Sequence, residues 1–420
     1  MFIRKSKLAL AVASIACLAL PTSAYATNGY FAHGYGSASK AMGGAGIALA
    51  EVSGSMAAAT NPAGMAFAGD RIDLGWELFM PERGYDCPQG CAGVGADQQR
   101  SDNGFFAVPF MGMNFKLPWD ATFGVTLFGN GGMNTEYAKS LFGSTLNKPV
   151  GVDLIQLFVS MTYAHKFNDN TAVGISVIPI YQKFKAYGIG SFSVLSSDPT
   201  HVSNNGDNGS FGVGTRLGGQ IGVGGGVTLG GFYQPRVNMS EFERYAGLFA
   251  EQGDFDIPTN YGLGVAWKAL PNLKVLFDYQ FIDYSDVASV GNASNFSGGL
   301  LGTDNGPGFG WDSINIFKLG VEYTTGSWTW RAGWNHGDNP VDGGAPGDIE
   351  LTFNILAPGV VTDHLTFGFT KQLSNTMVFN VAAMYAFNEK VTGTENFVGG
   401  EPISIDMTQY AFEMSLGVKF

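Results

Sequence analysis

The residue types used in catalysis are present, but their spacing matches no common catalytic site. The five histidines, His33, His165, His201, His336 and His364, never recur at the spacing of metal ligands. The sequence contains no Gly-x-Ser-x-Gly nucleophile elbow and no Gly-x-x-x-x-Gly-Lys-Ser/Thr phosphate loop. It therefore predicts neither an enzyme nor a bound metal or cofactor.

Two polar stretches carry apolar residues in a pattern that suits a hydrophobic ligand. The apolar residues are Phe242, Tyr245, Leu248 and Phe249, at helical spacing, in residues 241–255, and Leu141 and Phe142 in residues 135–143. Exposed apolar faces on loops are uncommon. Two interpretations stay open, and both can hold: the loops pack on each other as a lid, or they form a landing site for an apolar ligand.

The two cysteines outside the first 26 residues lie close together. Cys87 and Cys91 flank a Pro-Gln-Gly turn in the stretch DCPQGC. In an oxidising compartment this spacing favours a disulfide that closes a small loop. The alternative is half of a metal site, which the absence of a nearby histidine in the sequence disfavours.

The N-terminus has the features of an export signal. Basic residues at positions 4–7 precede an apolar stretch at 8–20 and a small-x-small cleavage site at 24–26. The apolar stretch is too short for a transmembrane anchor. Residues 1–26 are therefore predicted to be a signal peptide, with the mature chain beginning at Thr27.

Composition favours strands with little surface in water. Charged residues make up 14% of the 420 residues, whereas a soluble globular protein has ~25%. Aromatic residues reach 13%, and there are 61 glycines. The net charge of −12 excludes nucleic acid as a partner, because phosphate backbones bind to basic surfaces.

From Arg71 onward, alternation of residue types predicts fourteen strands. The segments are 71–80, 103–117, 121–133, 152–167, 171–189, 210–223, 226–236, 257–269, 272–286, 311–325, 327–337, 360–373, 376–390 and 405–420. Short turns and long polar connections alternate between them. An even number of long strands in up-and-down order is typical of a transmembrane β-barrel, and no such sheet can leave an edge open in a bilayer. A large soluble β-sandwich is the alternative, but its strands are usually shorter and its charge content higher.

The end of the chain supports this prediction. In EMSLGVKF the apolar residues Met414, Leu416, Val418 and Phe420 alternate with polar or small residues. The last strand is expected to pair with the first strand and so to close the barrel. A terminal aromatic residue also resembles the signal that the outer-membrane barrel insertion machinery reads.

Residues 27–70 differ from the strands that follow. They are small, almost uncharged and broken at Asn61-Pro62. Their scattered methionine, leucine and phenylalanine side chains favour packing inside the barrel over a disordered leader.

Several motifs, in this order, resemble those of the long-chain fatty acid outer-membrane transporter family (FadL-like), which includes aromatic-hydrocarbon channels. They are AAATNPAGM with Asn61, Pro62 and Ala63, FFAVPFMGMNFKLP, FGVTLFGNGGMNTEY, GSWTWRAGWNHGDNPV and APGVVTDHLTFGFT. The resemblance implies an all-β protein: a monomeric, 14-stranded antiparallel barrel over residues 71–420, with residues 27–70 as an N-terminal hatch that plugs the lumen.

The resemblance also implies a route for the ligand. In the family an apolar ligand passes the lipopolysaccharide layer and leaves sideways, into outer-membrane lipid, where the third strand is kinked. Glycines in the corresponding strand of this chain permit a bend. The opening is therefore expected near Thr126, Phe128 and Gly129.

One departure from the family bears on the ligand. Two positions that hold basic residues in fatty-acid members are occupied by Gly188 and Asp312. Tyr181, Lys183 and Lys185 remain nearby and share one face of their strand, so they are predicted to contribute to ligand binding. Because a buried carboxylate needs a paired cation, the departure favours neutral hydrocarbons over fatty acids and leaves both open.

The sequence thus predicts an outer-membrane diffusion channel for hydrophobic compounds in a Gram-negative bacterium. A general porin and a surface adhesin are the alternatives. A plug in the lumen distinguishes the first from the second, because a porin is usually narrowed by an inward loop.

Overall fold

The computed structural model describes residues 27–88, 98–138, 149–344, 348–396 and 400–420. The predicted signal peptide, Cys91, Leu141 and Phe142 lie outside these residues. No helix in the described part of the chain has the length and apolar character that a membrane span requires.

Fourteen long strands and one two-residue strand form a single antiparallel sheet in the described residues. They are β1 (Arg71–Asp86), β2 (Gln99–Arg100), β3 (Phe106–Lys116), β4 (Ala121–Tyr137), β5 (Val150–Asn168), β6 (Thr171–Tyr187), β7 (Asn208–Gly224), β8 (Val227–Gln234), β9 (Asn260–Leu270), β10 (Leu273–Ile282), β11 (Ile314–Thr325), β12 (Trp328–Gly337), β13 (Asp363–Gln372), β14 (Met377–Glu395) and β15 (Glu401–Lys419). All fourteen predicted strands are present, and β2 pairs only with β1.

The sheet closes into a barrel. Neighbouring strands follow chain order, and β15 pairs with β1 from Arg71↔Lys419 to Asp86↔Ser404. Closure satisfies the backbone groups that an open edge would leave unpaired in lipid. The predicted pairing of the last strand with the first is confirmed.

The outer face of the barrel is apolar. On β6, Val173, Ile175 and Val177 are 42–46% exposed, while the residues between them are buried. β15 behaves in the same way, with Met414 and Leu416 facing out. This alternation, with apolar residues outward, is typical of a barrel in a bilayer.

The two ends of the barrel differ. At one end the strands are joined by tight turns, such as Trp119-Asp120, where both residues have positive φ. At the other end are long loops with short helical turns. One prediction was wrong in extent: residues 391–404 were expected to be a long polar connection, but β14 and β15 continue through most of this range. Cross-strand pairs such as Val391↔Ile405 extend the ladder there.

The loops carry most of the helical turns. The α-helices are Ser37–Lys40, Met65–Ala68, Ala250–Gly253, Ala288–Gly291 and Glu350–Asn354, and the 3₁₀ helices are Ala50–Ala59, Pro62–Gly64, Gly190–Leu195, Glu243–Tyr245 and Tyr284–Asp286. Those before Arg71 belong to the N-terminal segment, residues 27–70.

The N-terminal segment lies against the inner faces of the strands. Its residues are almost all buried, and it hydrogen-bonds to opposite sides of the wall. The backbone N–H groups of Gly46 and Ile47 donate to Asp278 Oδ2 at 2.7 and 2.9 Å, and Ser55 Oγ donates to Asp73 Oδ2 at 2.6 Å. The lumen is therefore filled by the chain's own leading residues.

Candidate functional site

The barrel wall has a lateral gap between β3 and β4. Among the described residues, β3 pairs with β4 only from Met111↔Leu127 to Lys116↔Thr122. Toward the long loops, Phe106–Phe110 of β3 pairs with β1 alone. The corresponding part of β4 pairs with β5 alone among the strands. We define the lateral gap as the space between Phe106–Phe110 and the facing edge of β4.

A β-bulge lies beside the lateral gap. Gly129 pairs with Leu157 and Gly131 with Gln156, so Asn130 is one extra residue on β4. A bulge bends its strand and ends regular pairing. The sequence predicted an irregularity near Thr126, Phe128 and Gly129, and the structure places it just beyond, at Asn130.

The predicted strand residues have different roles at this point. Thr126 is still paired with β3, and its hydroxyl donates to Ser55 O at 2.8 Å. Phe128 faces inward, where its ring packs against Tyr35 and Phe158 at 4.9 and 5.5 Å. Gly129 is the last residue before the bulge.

The first residues of the N-terminal segment occupy the edge of β4. Phe31 bridges Gly131, Ala32 N donates to Asn130 O at 2.9 Å, and Gly132 N donates to Tyr30 O at 3.1 Å. β3 does not pair with this part of β4, so these bonds satisfy backbone groups of β4 that would otherwise lack a partner. Residues 30–32 thus seal the inner side of the lateral gap.

An apolar pocket of about 450 Å³ of empty space lies beneath the long loops. Its walls come from β5, β6 and four loops. Its lining residues are Val152, Phe184, Ile189, Phe192, Leu248, Phe249, Ser289, Leu301, Pro307, Gly308, Phe309, Phe353 and Leu356. Ser289 is the one polar side chain in this lining. A predominantly apolar lining is typical of small-molecule sites.

The structure brings together the four apolar residues predicted in residues 241–255. Phe242, Tyr245 and Phe249 surround the ring of Phe184 at centroid distances of 5.5, 4.9 and 4.7 Å. Leu248 and Phe249 line the apolar pocket, whereas the other two are fully buried behind it.

These loop residues lie in a packed loop layer. Phe242, Tyr245 and Phe249 are buried there, as residues of a lid would be, and Leu248 is half-buried. Their helical spacing corresponds to two single turns, Glu243–Tyr245 and Ala250–Gly253. Between them, Gly247 lies so close to Asp198 O that a Cβ would collide with it.

Sequence reasoning missed several residues of the site. Phe184 lies at the centre of the loop cluster, and strand alternation points it inward, because Lys183 and Lys185 point outward. Tyr30 and Phe31 gave no signal, since nothing in their local sequence shows that they reach β4.

Aromatic rings fill the space between the apolar pocket and the sealed edge. Phe249 contacts Phe255 at 5.0 Å, and Phe255 contacts Tyr30 at 5.9 Å. Tyr30 in turn packs on Phe31 at 5.3 Å. Residues of the N-terminal segment therefore stand between the apolar pocket and the lateral gap.

Asn61, Pro62 and Ala63 fix the N-terminal segment on the wall at β7. The Asn61 amide donates to Ile47 O and Gly219 O at 2.8 and 3.0 Å, and its oxygen accepts from Ala63 N at 3.0 Å. Pro62 lies directly on Gly218 of β7, where a Cβ would be 2.8 Å from the proline Cδ. Glycine is needed there for close approach.

A buried ion cluster holds the segment to the closing strands of the barrel. Lys40 Nζ contacts Glu77 Oε2 of β1 and lies 3.4 Å from Glu413 Oε2 of β15. Burial alone would lower the pKa of Lys40, but the two carboxylates outweigh it and raise that pKa. Lys40 therefore stays protonated and binds the segment where the barrel closes.

Tyr181, Lys183 and Lys185 do not line the apolar pocket. They alternate with buried residues of β6 and lie on the outer face of the barrel. Tyr181 packs on the exposed ring of Phe211 at 4.9 Å, and both lysines approach Asp153 Oδ2 at 3.9 Å. Their predicted contribution to ligand binding stays a prediction, and β6 turns this face away from the lumen and from the apolar pocket.

Cys87 is fully buried at the end of β1. Its predicted partner, Cys91, lies outside the described residues, so the disulfide stays a prediction. Among the described residues, no group of three or more His, Cys, Asp or Glu side chains could hold a metal ion.

Solved outer-membrane proteins share the fold of this chain. None of the curated proteins searched matches the chain. The toluene transporter TodX of P. putida superposes with a TM-score of 0.67 at 17% identity, over 92% of this chain and 99% of TodX. A FadL homologue of Pseudomonas aeruginosa gives 0.69 at 16% identity, over 93% and 100%. The toluene transporter TbuX of Ralstonia pickettii gives 0.62 at 18% identity, over 92% and 99%.

These similarities support the fold, and the family profile supports the assignment. The profile described as outer membrane protein transport protein (OMPP1/FadL/TodX) matches residues 13–420. The match includes the fourteen long strands and the N-terminal segment. This outer-membrane β-barrel of a Gram-negative bacterium therefore belongs to the OMPP1/FadL/TodX family of transport proteins.

Proposed function

We propose that the protein is a passive channel for small, neutral hydrophobic molecules, which leave sideways through the lateral gap. The observation that carries the proposal is the arrangement of the apolar pocket, the aromatic residues of the N-terminal segment and the lateral gap in one continuous region. The solved relatives described as toluene and monoaromatic hydrocarbon channels support the ligand class.

The lining of the apolar pocket favours neutral ligands over fatty acids. It contains no charged side chain among the described residues. A carboxylate buried there would have no cation to pair with and would carry a large desolvation cost. A hydrocarbon gains ~0.8 kcal/mol for each CH₂ removed from water, so it needs no polar partner in the pocket.

Exit requires the N-terminal segment to move. Tyr30 and Phe31 separate the apolar pocket from β4, and three contacts hold residues 30–32 to the bulge. A second small cavity lies between Phe110 of β3 and Phe128 of β4, and the ion cluster of Lys40, Glu77 and Glu413 also lines it. Displacement of residues 27–32 would join these spaces and open them to lipid. No energy source is needed, because the molecule moves from water into hydrocarbon.

Deletion of Asn130 tests this proposal. Without the extra residue, Gly129 and Gly131 would continue one regular ladder with β5 and keep their present faces. The straightened β4 could then pair further along β3 and close the lateral gap. Uptake of radiolabelled toluene by cells should fall to the level of cells that lack the protein.

The control removes a residue from another bulge. On β14, the register shift between Ala386 and Glu389 leaves one extra residue, so deletion of Asn388 also straightens a strand, but away from the lateral gap. This variant should keep its uptake. Both variants should show the heat-modifiable gel migration of a folded barrel. A folded Asn130 deletion with unchanged uptake would refute lateral exit.

A further inference from the structure

A small polar chamber lies between the N-terminal segment and the barrel wall. Its polar lining side chains are Tyr35 and Thr60 of the segment and Arg216, Asn260, Gln280 and Lys318 of the wall. It is separated from the lateral gap by Tyr35, whose hydroxyl donates to Asn130 Oδ1 at 2.8 Å. The transport path proposed above does not pass through it.

Arg216 is a buried cation without an acidic partner. It is 1% exposed, and its guanidinium donates to Gln234 Oε1 at 3.2 and 2.7 Å and to Ala59 O. It also lies over the ring of Phe232 at 5.3 Å. No carboxylate lies within ion-pair distance among the described residues. A buried charge without a counter-ion is strongly unfavourable.

Lys318, which also lines the polar chamber, adds a second positive charge. Its Nζ donates to His33 O at 2.9 Å and to Gln280 Oε1 at 2.8 Å, both neutral acceptors. Asp278 is the nearby acidic residue on the wall, and its Oδ2 accepts from the backbone of the N-terminal segment. Asp278 offsets the charge of Lys318, so the charge of Arg216 is left without a counter-ion among the described residues.

The chamber also holds an unused hydrogen-bonding group. The hydroxyl of Thr60, a residue only 9% exposed, has no partner in the described part of the chain. Buried polar groups are almost always satisfied by protein, water or a bound ion. A hydroxyl, a guanidinium and an ammonium around one small chamber are donors that suit a single small anion.

From these observations we propose that the polar chamber binds one small monovalent anion, a halide or a carboxylate group. The anion neutralises Arg216, accepts from Lys318 on the wall and accepts from Thr60 on the N-terminal segment. Because both parts contribute donors, the bound anion stabilises the seated segment.

Thermal unfolding of the full-length protein in detergent tests the proposal. Sodium chloride, bromide, acetate or octanoate is titrated against sodium HEPES, whose anion is too bulky for the chamber, at constant ionic strength. A saturable rise in the unfolding temperature with chloride, bromide or acetate is expected. The rise should be lost in Arg216→Gln and kept in Arg331→Gln, in which a buried arginine that already pairs with Glu322 is removed.

The anions also separate the two sources of the ligand. Stabilisation by chloride and acetate identifies a free small anion, and stabilisation by octanoate alone identifies the head group of an amphipathic molecule. The absence of any saturable effect, or an equal effect in Arg216→Gln, would overturn the proposal.

Diffraction from wild-type crystals soaked in bromide provides a readout that does not depend on a variant. An anomalous peak within hydrogen-bonding distance of Arg216 is expected, and its absence would also overturn the proposal. Toluene uptake is measured separately, so a failure of this site is distinguishable from a failure of the transport proposal.

Discussion

Replacement of Lys40 by methionine should release the N-terminal segment from the barrel. Lys40 and its partners Glu77 and Glu413 have side chains only 2–6% exposed. Methionine fills a similar volume but leaves two carboxylates buried without a cation. Removing one partner of a buried ion pair costs about 3–5 kcal/mol.

The substitution destabilises the state in which the segment is packed inside the barrel. A released segment is affected less, because it exposes the carboxylates to water in the lumen. At about 1.4 kcal/mol for each factor of ten, the population of released segment should rise by roughly two to three and a half orders of magnitude. Hydrogen exchange measured by mass spectrometry should then be faster throughout residues 27–70. Exchange in the strands of the barrel should be unchanged.

Two controls separate this mechanism from general damage. Lys166→Met removes an exposed ion pair with Asp169, which is worth only about 0–1 kcal/mol, and should leave the segment protected. The triple variant Lys40→Met, Glu77→Gln, Glu413→Gln leaves no charge unpaired and should restore most of the protection. Unchanged exchange in folded Lys40→Met protein would refute the reasoning.

Two further predictions concern the seat of the N-terminal segment and the loops over the apolar pocket. Gly218→Val should displace the segment, because a side chain there collides with Pro62. Gly219→Val is the control and should leave the segment in place, because a side chain there meets nothing within 4 Å. Limited proteolysis of residues 27–70 distinguishes the two variants. Burial, and then the neighbouring Asp342 carboxylate, raise the pKa of Glu350 from 4.5 to about 8 in the folded loop. The stability that this group contributes is therefore present below pH 4.5 and lost as the pH rises through about 8. Binding of an apolar fluorescent probe should weaken between pH 6 and 9, and Glu350→Gln should remove that dependence; a wild-type affinity that does not change with pH would contradict this.

Most of the fold could be predicted from the sequence because barrel strands carry their pattern locally. Each strand alternates outward apolar residues with inward polar or small ones, and each tight turn has its own turn residues. The extent of strands was less predictable: β14 and β15 continue to Glu395 and from Glu401, where polar residues gave no sign of pairing.

The site was predictable only in part. The apolar residues of the loop cluster were found from their types, and the irregular strand from its glycines. The outward direction of Lys183 and Lys185 required the register of β6 against its neighbours, since a strand's two faces cannot be told apart from spacing when both carry polar residues.

The sequence by itself determined that this chain makes a closed, lipid-facing sheet. The alternation of apolar and polar residues and the order of short and long turns can both be read from neighbouring residues. Only the tertiary structure decided where the wall is incomplete, which residues seal it and which buried cation lacks a counter-ion. Phe31 and Gly131, or Arg216 and Lys318, are about 100 residues apart in the chain. Their relative positions depend on how the barrel closes and how the N-terminal segment fits into it, and no local sequence pattern indicates that fit.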